Sequence, residues 1–270
     1  MKHLPNLLTL ANLFCGCIAI AYIFSAQPYT AMSLGETGGL PTWYWVYGAE
    51  QMYMGSIFIG IAALCDMLDG LAARALNVFS PIGKDLDSLA DLVSFGVAPS
   101  AILFKFLWDA LMGEKNAFDV NMLGMAPAFL IACFAALRLA RFNIAADSQK
   151  HYFIGMPTPA AGIFVGSFPL VLWFCPSPIS HTFAHLVQNK WVLYLVIAIL
   201  CWLMVSPVKF FKMIPAKWNI ATAWPQYLLV LLTAASIPVL SFAAIPVAFI
   251  LYVVLSLIYK QPAEQAAKVF

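Results

Sequence analysis

The sequence predicts an all-α, polytopic membrane helix bundle with about eight transmembrane helices. Apolar residues make up 63% of the 270 residues and charged residues only 10%, whereas soluble domains are about 45–50% apolar and about 25% charged. The apolar residues stand in long, almost uncharged runs, which favours membrane helices over the alternating pattern of a β-barrel. The formal net charge is only +2. Together these features exclude an ordinary soluble enzyme, a disordered chain and a protein that binds a nucleic-acid backbone.

Each predicted span is a run of roughly 20 apolar residues, the length that a helix needs to cross about 30 Å of hydrocarbon. In chain order the runs lie at about 7–26, 45–68, 88–108, 122–142, 155–175, 190–206, 222–238 and 242–259. Pro238 and Pro246, near the junction of the last two runs, predict a short hairpin there. We expect one membrane-embedded domain, 1–270, with a core at about 5–206 and additional C-terminal helices at about 207–260.

The basic residues predict the orientation of these spans. With the N-terminus inside, eleven of the fourteen Lys and Arg residues lie on the inner side and three on the outer side, as the positive-inside rule requires. Both termini are therefore expected in the cytoplasm, with the protein in the cell (inner) membrane. The glycine-containing segment 27–44 then lies outside and is expected to be an irregular loop.

Acidic residues are concentrated at the predicted cytoplasmic turn between the second and third spans. Five of the twelve fall within 26 positions. Asp66 and Asp69 are three residues apart and Asp87 and Asp91 four apart, so each pair shares one face of its helix. Asp85 points to another face. Because ionisable groups inside a span are costly, the four aspartates on facing helices predict a functional site just inside the membrane boundary.

Four neighbouring carboxylates cannot all stay charged without counter-ions, and Arg74 and Lys84 are too few to balance them. Two Mg²⁺ or Mn²⁺ ions would balance the charge, because both ions prefer hard oxygen ligands. Two such ions suit a phosphoryl transfer. A proton or cation pathway in a transporter would also place carboxylates inside a membrane, and charge geometry alone leaves both interpretations open.

Residues 66–91 read DMLDGLAARALNVFSPIGKDLDSLAD. This stretch resembles the signature D-x2-D-G-x2-A-R-x8-G-x3-D-x3-D of the CDP-alcohol phosphatidyltransferase family. Segments 11–16, 87–100 and 138–143 are similar to the membrane-embedded branch of that family that uses L-serine, and the resemblance covers about 5–200. All eight fixed positions of the signature match: Asp66, Asp69, Gly70, Ala73, Arg74, Gly83, Asp87 and Asp91.

The resemblance implies an enzyme that transfers the phosphatidyl group of CDP-diacylglycerol to the hydroxyl of L-serine, giving phosphatidylserine and CMP. It implies that Asp66, Asp69, Asp87 and Asp91 hold two Mg²⁺ or Mn²⁺ ions, and that Asp91 is the general base for attack on the lipid-side phosphorus. Members of the family commonly form homodimers, so a homodimer is expected. Membrane lipids are also expected as partners. No nucleic-acid partner is expected.

The resemblance also implies substrate contacts. Gly70 would let the nucleotide approach the helix closely, Arg74 would donate to the diphosphate, and Asn6 and Thr9 are candidates for the cytidine end. Arg138 and Arg141 are candidates for the serine carboxylate. The full set expected to bind CDP-diacylglycerol is Asp69, Gly70, Ala73, Arg74, Ser80, Gly83, Asn6 and Thr9.

Two alternatives stay open from the sequence. The acceptor alcohol could instead be glycerol 3-phosphate or inositol phosphate, although a phosphorylated acceptor should need more cations than Arg138, Arg141 and Lys150 supply. A cation-coupled transporter would also explain buried acids. It would not require Gly70 and Gly83 at their positions in the signature.

Overall fold

Helices dominate the structure, a computed structural model of the chain. It describes residues 3–26, 29–33, 42–46, 49–76, 81–112, 121–145, 152–212 and 220–259. Among these residues, five helices are long and apolar enough to cross a membrane, or six if one sharply bent pair counts as a span. The prediction of a multi-pass α-helical bundle is therefore confirmed, whereas the number of eight spans is not.

The first two helices lie antiparallel and in close contact. Helix α1 spans Leu4–Ser25 and α2 spans Ala49–Leu76. Gly55 of α2 faces Ile23 of α1, and a Cβ built on it would lie 2.7 Å from Ile23 Cγ1. The missing side chain lets the two backbones approach, as is typical of membrane helices.

The third span is one continuous helical rod that changes its winding in the middle. Helix α3 spans Pro81–Asp91, a π-helical stretch covers Leu92–Val97, and α4 follows at Ala98–Met112. The rod starts earlier than predicted, because Pro81 opens a helix at its first turn instead of continuing the loop. A π-helical stretch is rare and often lies at a functional site, and here it begins directly after Asp91.

This rod is the centre of the bundle. In its most apolar 18-residue window 67% of the residues are buried, against 33% or less in the other candidate spans. Gly96 and Gly162 allow neighbouring helices to pack against it, since a Cβ on Gly162 would lie 2.8 Å from Phe95 Cβ. The largest fully buried side chains of the rod are Phe95, Ile102, Leu103 and Leu107.

The helices that follow surround this rod. A short helix α5, Met122–Met125, and a 3-10 turn, Ala126–Phe129, lead into α6. Helices α8 and α9 meet at an angle of 82°. The bounds are Leu130–Ala145 for α6, Thr158–Phe174 for α7, Ser177–Val187 for α8 and Lys190–Val205 for α9.

Two short antiparallel strand pairs interrupt the helices, and the all-α prediction did not include them. Strands β1, Tyr29–Ser33, and β2, Thr42–Val46, pair with each other. They occupy part of the segment 27–44 that was expected to be an irregular loop, and β2 continues into the first two residues of the second predicted span. Strands β3, Tyr152–Ile154, and β4, Lys209–Phe211, connect the ends of α6 and α9. Each of these strands has only three residues, and the paired residues Phe153 and Phe210 are 57 positions apart in the sequence. Strands this short show no alternating pattern from which they could be predicted.

The C-terminal segment folds back on itself, as its prolines predict. Helix α10 spans Ile220–Leu240, a 3-10 turn covers Ser241–Ala243, and α11 spans Ala244–Ile258. The rings of Trp224 and Tyr259, at the two open ends, are 5.7 Å apart. The segment is therefore an antiparallel hairpin.

Candidate functional site

Three aspartate side chains converge where α2 meets α3. Asp66 and Asp69 project from one face of α2, and Asp87 projects from α3. Carboxylate oxygens of all three lie within 4.8 Å of one another. The convergence follows from the sequence spacing, because residues three apart share a helix face and the hairpin brings the two helices together.

Asp91 borders these three aspartates, and a side-chain hydrogen bond joins it to Asp66. Its side chain is 7% exposed and interacts electrostatically with Asp66, Asp87 and Arg138. Asn12 of α1 donates from Nδ2 to Asp91 Oδ1 at 3.4 Å. Asp91 thus lies between the carboxylate group on one side and a buried guanidinium on the other.

Helix α1 packs against the aspartates and forms hydrogen bonds with the helices that carry them. The Thr9 hydroxyl lies 2.7 Å from Asp69 Oδ2 and 3.0 Å from Pro5 O, and its single proton can serve only one of them at a time. Ser94, in the π-helical stretch, donates to the backbone oxygen of Asn12 at 3.0 Å. These bonds tie α1 to the aspartates of α2 and α3.

The side chains fit divalent metal ions. Asp87 Oδ1 is buried and has no hydrogen-bond partner among the described residues. An orphaned carboxylate oxygen of this kind is costly unless a cation or a bound group occupies its lone pairs. The hard oxygen donors suit Mg²⁺ or Mn²⁺. Asp66, Asp69 and Asp87 could hold such ions, and theirs is the one group of three or more potential ligands within the described parts of the chain.

Arg138 is buried next to Asp91 with an incomplete set of partners. It is 6% exposed, and its Nη1 donates to Thr158 Oγ1 at 3.2 Å. Its Nε is buried and lacks a hydrogen-bond partner within the described residues. Two aromatic rings flank the guanidinium, with centroids 5.3 Å away for Phe142 and 5.8 Å away for Phe153. A buried guanidinium with an unused donor is suited to bind a carboxylate.

Gly70 and Arg74 form an open face of α2 beside the aspartates. A Cβ on Gly70 would meet only the Arg74 guanidinium, at 3.5 Å from Nη1. Helix packing therefore does not explain this glycine. Lys212, just after β4, lies near the same guanidinium: burial and, secondarily, the charge of Arg74 lower its pKa below the usual value. The two cations concentrate positive charge at this face.

The remaining predicted site residues are spread around this centre. Asn6 is half-buried in the first turn of α1, and Gly83 and Ala73 are half-buried in α3 and α2. Arg141 is exposed at the end of α6, and no described contact joins it to the aspartates. Ser80 lies outside the described residues.

Comparison with known proteins decides between the two interpretations of the aspartates. The sequence model of the CDP-alcohol phosphatidyltransferase family matches residues 2–205. The chain belongs to the CDP-alcohol phosphatidyltransferase family. The resemblance read from residues 66–91 is thereby confirmed, and a transporter is not favoured.

Several relatives carry one name, CDP-diacylglycerol--serine O-phosphatidyltransferase. The protein of Helicobacter pylori strain J99 is 31% identical over 256 residues, which cover 94% of this chain and 89% of the relative. That of Bacillus subtilis is 31% identical over 179 residues, 66% of this chain and 80% of the relative. The Saccharomyces cerevisiae protein is 43% identical over 110 residues, 38% of this chain and 36% of the relative.

The structure adds residues that sequence reasoning did not assign to the site. Asn12 and Thr158 contact Asp91 and Arg138, and Lys212 lies near Arg74. For Asn12 the sequence held one local signal, a polar residue inside an apolar span. Such residues are also common where membrane helices pack, so the signal does not identify a site. Thr158 and Lys212 come from segments distant in sequence, so no local pattern links them to the aspartates.

Proposed function

We propose that this chain transfers the phosphatidyl group of CDP-diacylglycerol to the hydroxyl of L-serine, giving phosphatidylserine and CMP. The observation that carries the proposal is the junction of two opposite charge environments. On one side are the three carboxylates of Asp66, Asp69 and Asp87, which fit metal ions. On the other side is the buried Arg138 guanidinium with an unused donor, and Asp91 lies between them. The names of the relatives from bacteria and yeast support the same reaction.

Asp66, Asp69 and Asp87 are the residues that we propose to hold two Mg²⁺ or Mn²⁺ ions, with Asp91 at the edge of the site. When bound, such ions neutralise the diphosphate and stabilise the charge that develops on the departing phosphate of CMP. Thr9 orients one of the three carboxylates through its contact with Asp69 Oδ2. The protein's contribution is the fixed positions of these oxygens at a helix hairpin.

Asp91 is the proposed general base. The serine hydroxyl must lose a proton as it attacks the lipid-side phosphorus, and a carboxylate within hydrogen-bond reach can accept it. Asn12 donates to Asp91 Oδ1, and a side-chain hydrogen bond joins Asp91 to Asp66. The acceptor hydroxyl would take the place of the Asp66 contact. Burial excludes bulk water from the same position, which limits competing hydrolysis of the CDP-lipid.

The open face of α2 is the proposed site for the CDP moiety. Gly70 leaves room there, and the Arg74 guanidinium can donate two parallel bonds to the diphosphate. The other residues that we assign to the CDP-lipid are Asp69, Ala73, Ser80, Gly83, Asn6 and Thr9.

Substitution of Gly70 by alanine is expected to raise the KM for CDP-diacylglycerol about tenfold, because a methyl group intrudes where the nucleotide approaches. Thermal stability should stay unchanged or rise slightly, since alanine favours a helix by up to about 1 kcal/mol and no backbone lies in its way. Gly60→Ala is the matched control on the same helix, where a Cβ meets nothing within 4 Å. Equal KM values for the two variants would contradict this assignment.

Arg138 is the residue that we propose for the serine carboxylate. Its Nη1 is occupied by Thr158, and its Nε remains available for the substrate. The sequence offered Arg138 and Arg141 equally. The exposure of Arg141 supports a contact with lipid headgroups for that residue instead.

Arg138→Gln is expected to raise the KM for L-serine about 100-fold with a smaller change in kcat, because a buried ionic contact with the substrate is lost. Ethanolamine, which has the hydroxyl and amine but no carboxylate, should be a poor acceptor for the unsubstituted enzyme and lose little further activity in the variant. Initial rates of CMP release at varied acceptor concentration measure both effects. Arg141→Gln should change the KM for serine by less than about threefold.

The whole chain is proposed to act as one transferase domain, with a core at about 5–206 and a C-terminal extension at about 207–260. Contacts between the extension and the core support this: the rings of Phe249 and Phe164 stack with centroids 4.2 Å apart, and Tyr252 interacts with Arg138. We further propose eight membrane crossings in the cell (inner) membrane, with both termini and the site cytoplasmic. The folded-back α10–α11 hairpin and the distribution of Lys and Arg support that topology.

The decisive experiment is an assay of purified protein with CDP-diacylglycerol and Mn²⁺ or Mg²⁺, in which one acceptor alcohol is supplied at a time. We expect CMP release that depends on L-serine. Release only with glycerol 3-phosphate or inositol phosphate would contradict the acceptor, and no release with any alcohol would contradict the reaction. Light scattering of the same preparation tests the proposed homodimer, which rests on the family resemblance.

A further inference from the structure

A cavity with a partly polar lining lies at the opposite end of the bundle from the aspartates. It has a volume of about 730 Å³, within the range of pockets that hold small organic ligands. Asp109 lines it from α4, 18 positions after Asp91 on the same helical rod. That separation would be about 27 Å in an unbroken α-helix and is slightly shorter here because six of the residues are π-helical. The cavity is therefore at the other membrane boundary, and the proposed transferase reaction makes no use of it.

Asp109 is the unusual residue of this cavity. It is a half-buried carboxylate inside a candidate span, where a charge is expensive without a partner. Lys105, one turn earlier on the same face, donates its hydrogen bond to Ala26 O at 3.0 Å. Lys105 acts on Asp109 through its charge, and no hydrogen bond or ion pair joins Asp109 to any of the described residues. The carboxylate thus offers an acceptor to whatever enters the cavity.

The rest of the lining divides into a polar and an apolar part. The polar part comes from the 82° bend between α8 and α9, where His185, Gln188 and Lys190 border the cavity. The apolar part consists of side chains such as Phe106 and Leu172 from the membrane-spanning helices. Trp191 at the rim is 69% exposed, a position typical of aromatic residues at a membrane interface.

We propose that this cavity binds a phospholipid whose headgroup carries a primary ammonium group. The ammonium would donate to Asp109 and Gln188, the phosphate would lie toward His185 and Lys190, and the first acyl carbons would contact Phe106 and the other apolar lining. A single carboxylate is too few ligands for a divalent ion. It suits an ammonium group, whose three N–H donors need acceptors inside the membrane.

Lipids that differ only in their amine test this assignment. Native mass spectrometry of the full chain in detergent should show phosphatidylethanolamine bound about tenfold more tightly than phosphatidylcholine, because a quaternary ammonium has no N–H to donate. Asp109→Asn should remove the preference, and Asp109→Glu should retain part of it. The matched control is Asp85→Asn, the same substitution of an exposed acid near the other end of the same rod. Equal affinities for the two lipids in the unsubstituted chain would overturn the proposal.

Two further measurements on the unsubstituted chain keep the proposal testable if Asp109→Asn does not fold. Phosphatidylethanolamine that carries a photoreactive group near the start of one acyl chain, with its ammonium intact, should label peptides from Ser177–Val187 and Lys190–Val205. Labelling confined to other segments would contradict the site. Soluble glycerophosphoethanolamine at millimolar concentration should fail to displace the lipid. Displacement at micromolar concentration would show that the occupant is the free headgroup compound and would overturn the assignment to a lipid.

Discussion

Asp91→Asn is expected to lower kcat for phosphatidyl transfer by about 10²–10⁴-fold, the usual contribution of a general base. Asparagine has the same shape and can keep the contact with Asn12 Nδ2, but its amide cannot take the proton of the serine hydroxyl. Because Asp91 lies outside the group of three carboxylates, the affinity for CDP-diacylglycerol should change by less than about threefold. Single-turnover CMP release and equilibrium binding of the CDP-lipid measure the two quantities separately.

The control for this substitution is Asp85→Asn, six positions earlier on the same helix and exposed. It removes the same charge from the same segment and should leave kcat within about twofold. If Asp91→Asn retains full turnover, Asp91 is not the base. If it loses CDP-lipid binding as well, Asp91 belongs to the metal and nucleotide site and its separation from the other three carboxylates has no functional meaning.

The convergence of the aspartate side chains was predictable because its determinants are local. The spacing between Asp66 and Asp69 and between Asp87 and Asp91 specifies a face of each helix, and a short turn between two apolar runs forces the helices into a hairpin. The structure brings Asp66, Asp69 and Asp87 together and leaves Asp91 beside them. Helical periodicity cannot supply that last distinction, because it depends on tertiary contacts such as the one between Asn12 of α1 and Asp91.

The acceptor side was not predictable in the same way. Arg138 and Arg141 are equivalent as a pair of cations near the end of one helix, and only tertiary packing buries the first and exposes the second. The packing depends on β3 and β4, which place Phe153 against Arg138. Thr158, its hydrogen-bond partner, opens a different helix. None of these contacts lies within one turn of the chain.

The π-helical stretch after Asp91 illustrates the same limit. Leu92–Val97 is an ordinary apolar segment in which nothing distinguishes a wider helical winding from an α-helix. Contacts with α1 explain the π-helical winding better than the local sequence does, because Ser94 lies against Gly16 and donates to Asn12 O. The stretch lies between the aspartates of α3 and the buried apolar side chains of α4, at the kind of place where π-helical turns often occur.

Removal of divalent ions is expected to abolish activity, and Asp87→Asn should reduce it about 10³-fold at millimolar metal, because several kcal/mol of charge stabilisation are lost with one ligand. Among the three proposed ligands, Asp87 gives the clearest test, because its Oδ1 is buried and has no hydrogen-bond partner among the described residues. Titration of CMP release against Mn²⁺ measures the metal requirement, with Asp85→Asn as the control that keeps the carboxylate group intact.

Thermal stability provides an independent readout of the same site. Without metal, the three carboxylates repel one another, so Asp87→Asn should unfold at the same temperature as the unsubstituted protein or a higher one in a chelator. Adding Mn²⁺ should raise the unfolding temperature of the unsubstituted protein, since a ligand that binds only the folded state stabilises it by RT ln(1 + [L]/Kd), and should raise that of the variant much less. An equal response of both proteins to Mn²⁺ would mean that Asp87 is not a ligand. A lower unfolding temperature of the variant in the chelator would mean that Asp87 stabilises the helix hairpin through contacts with the protein itself.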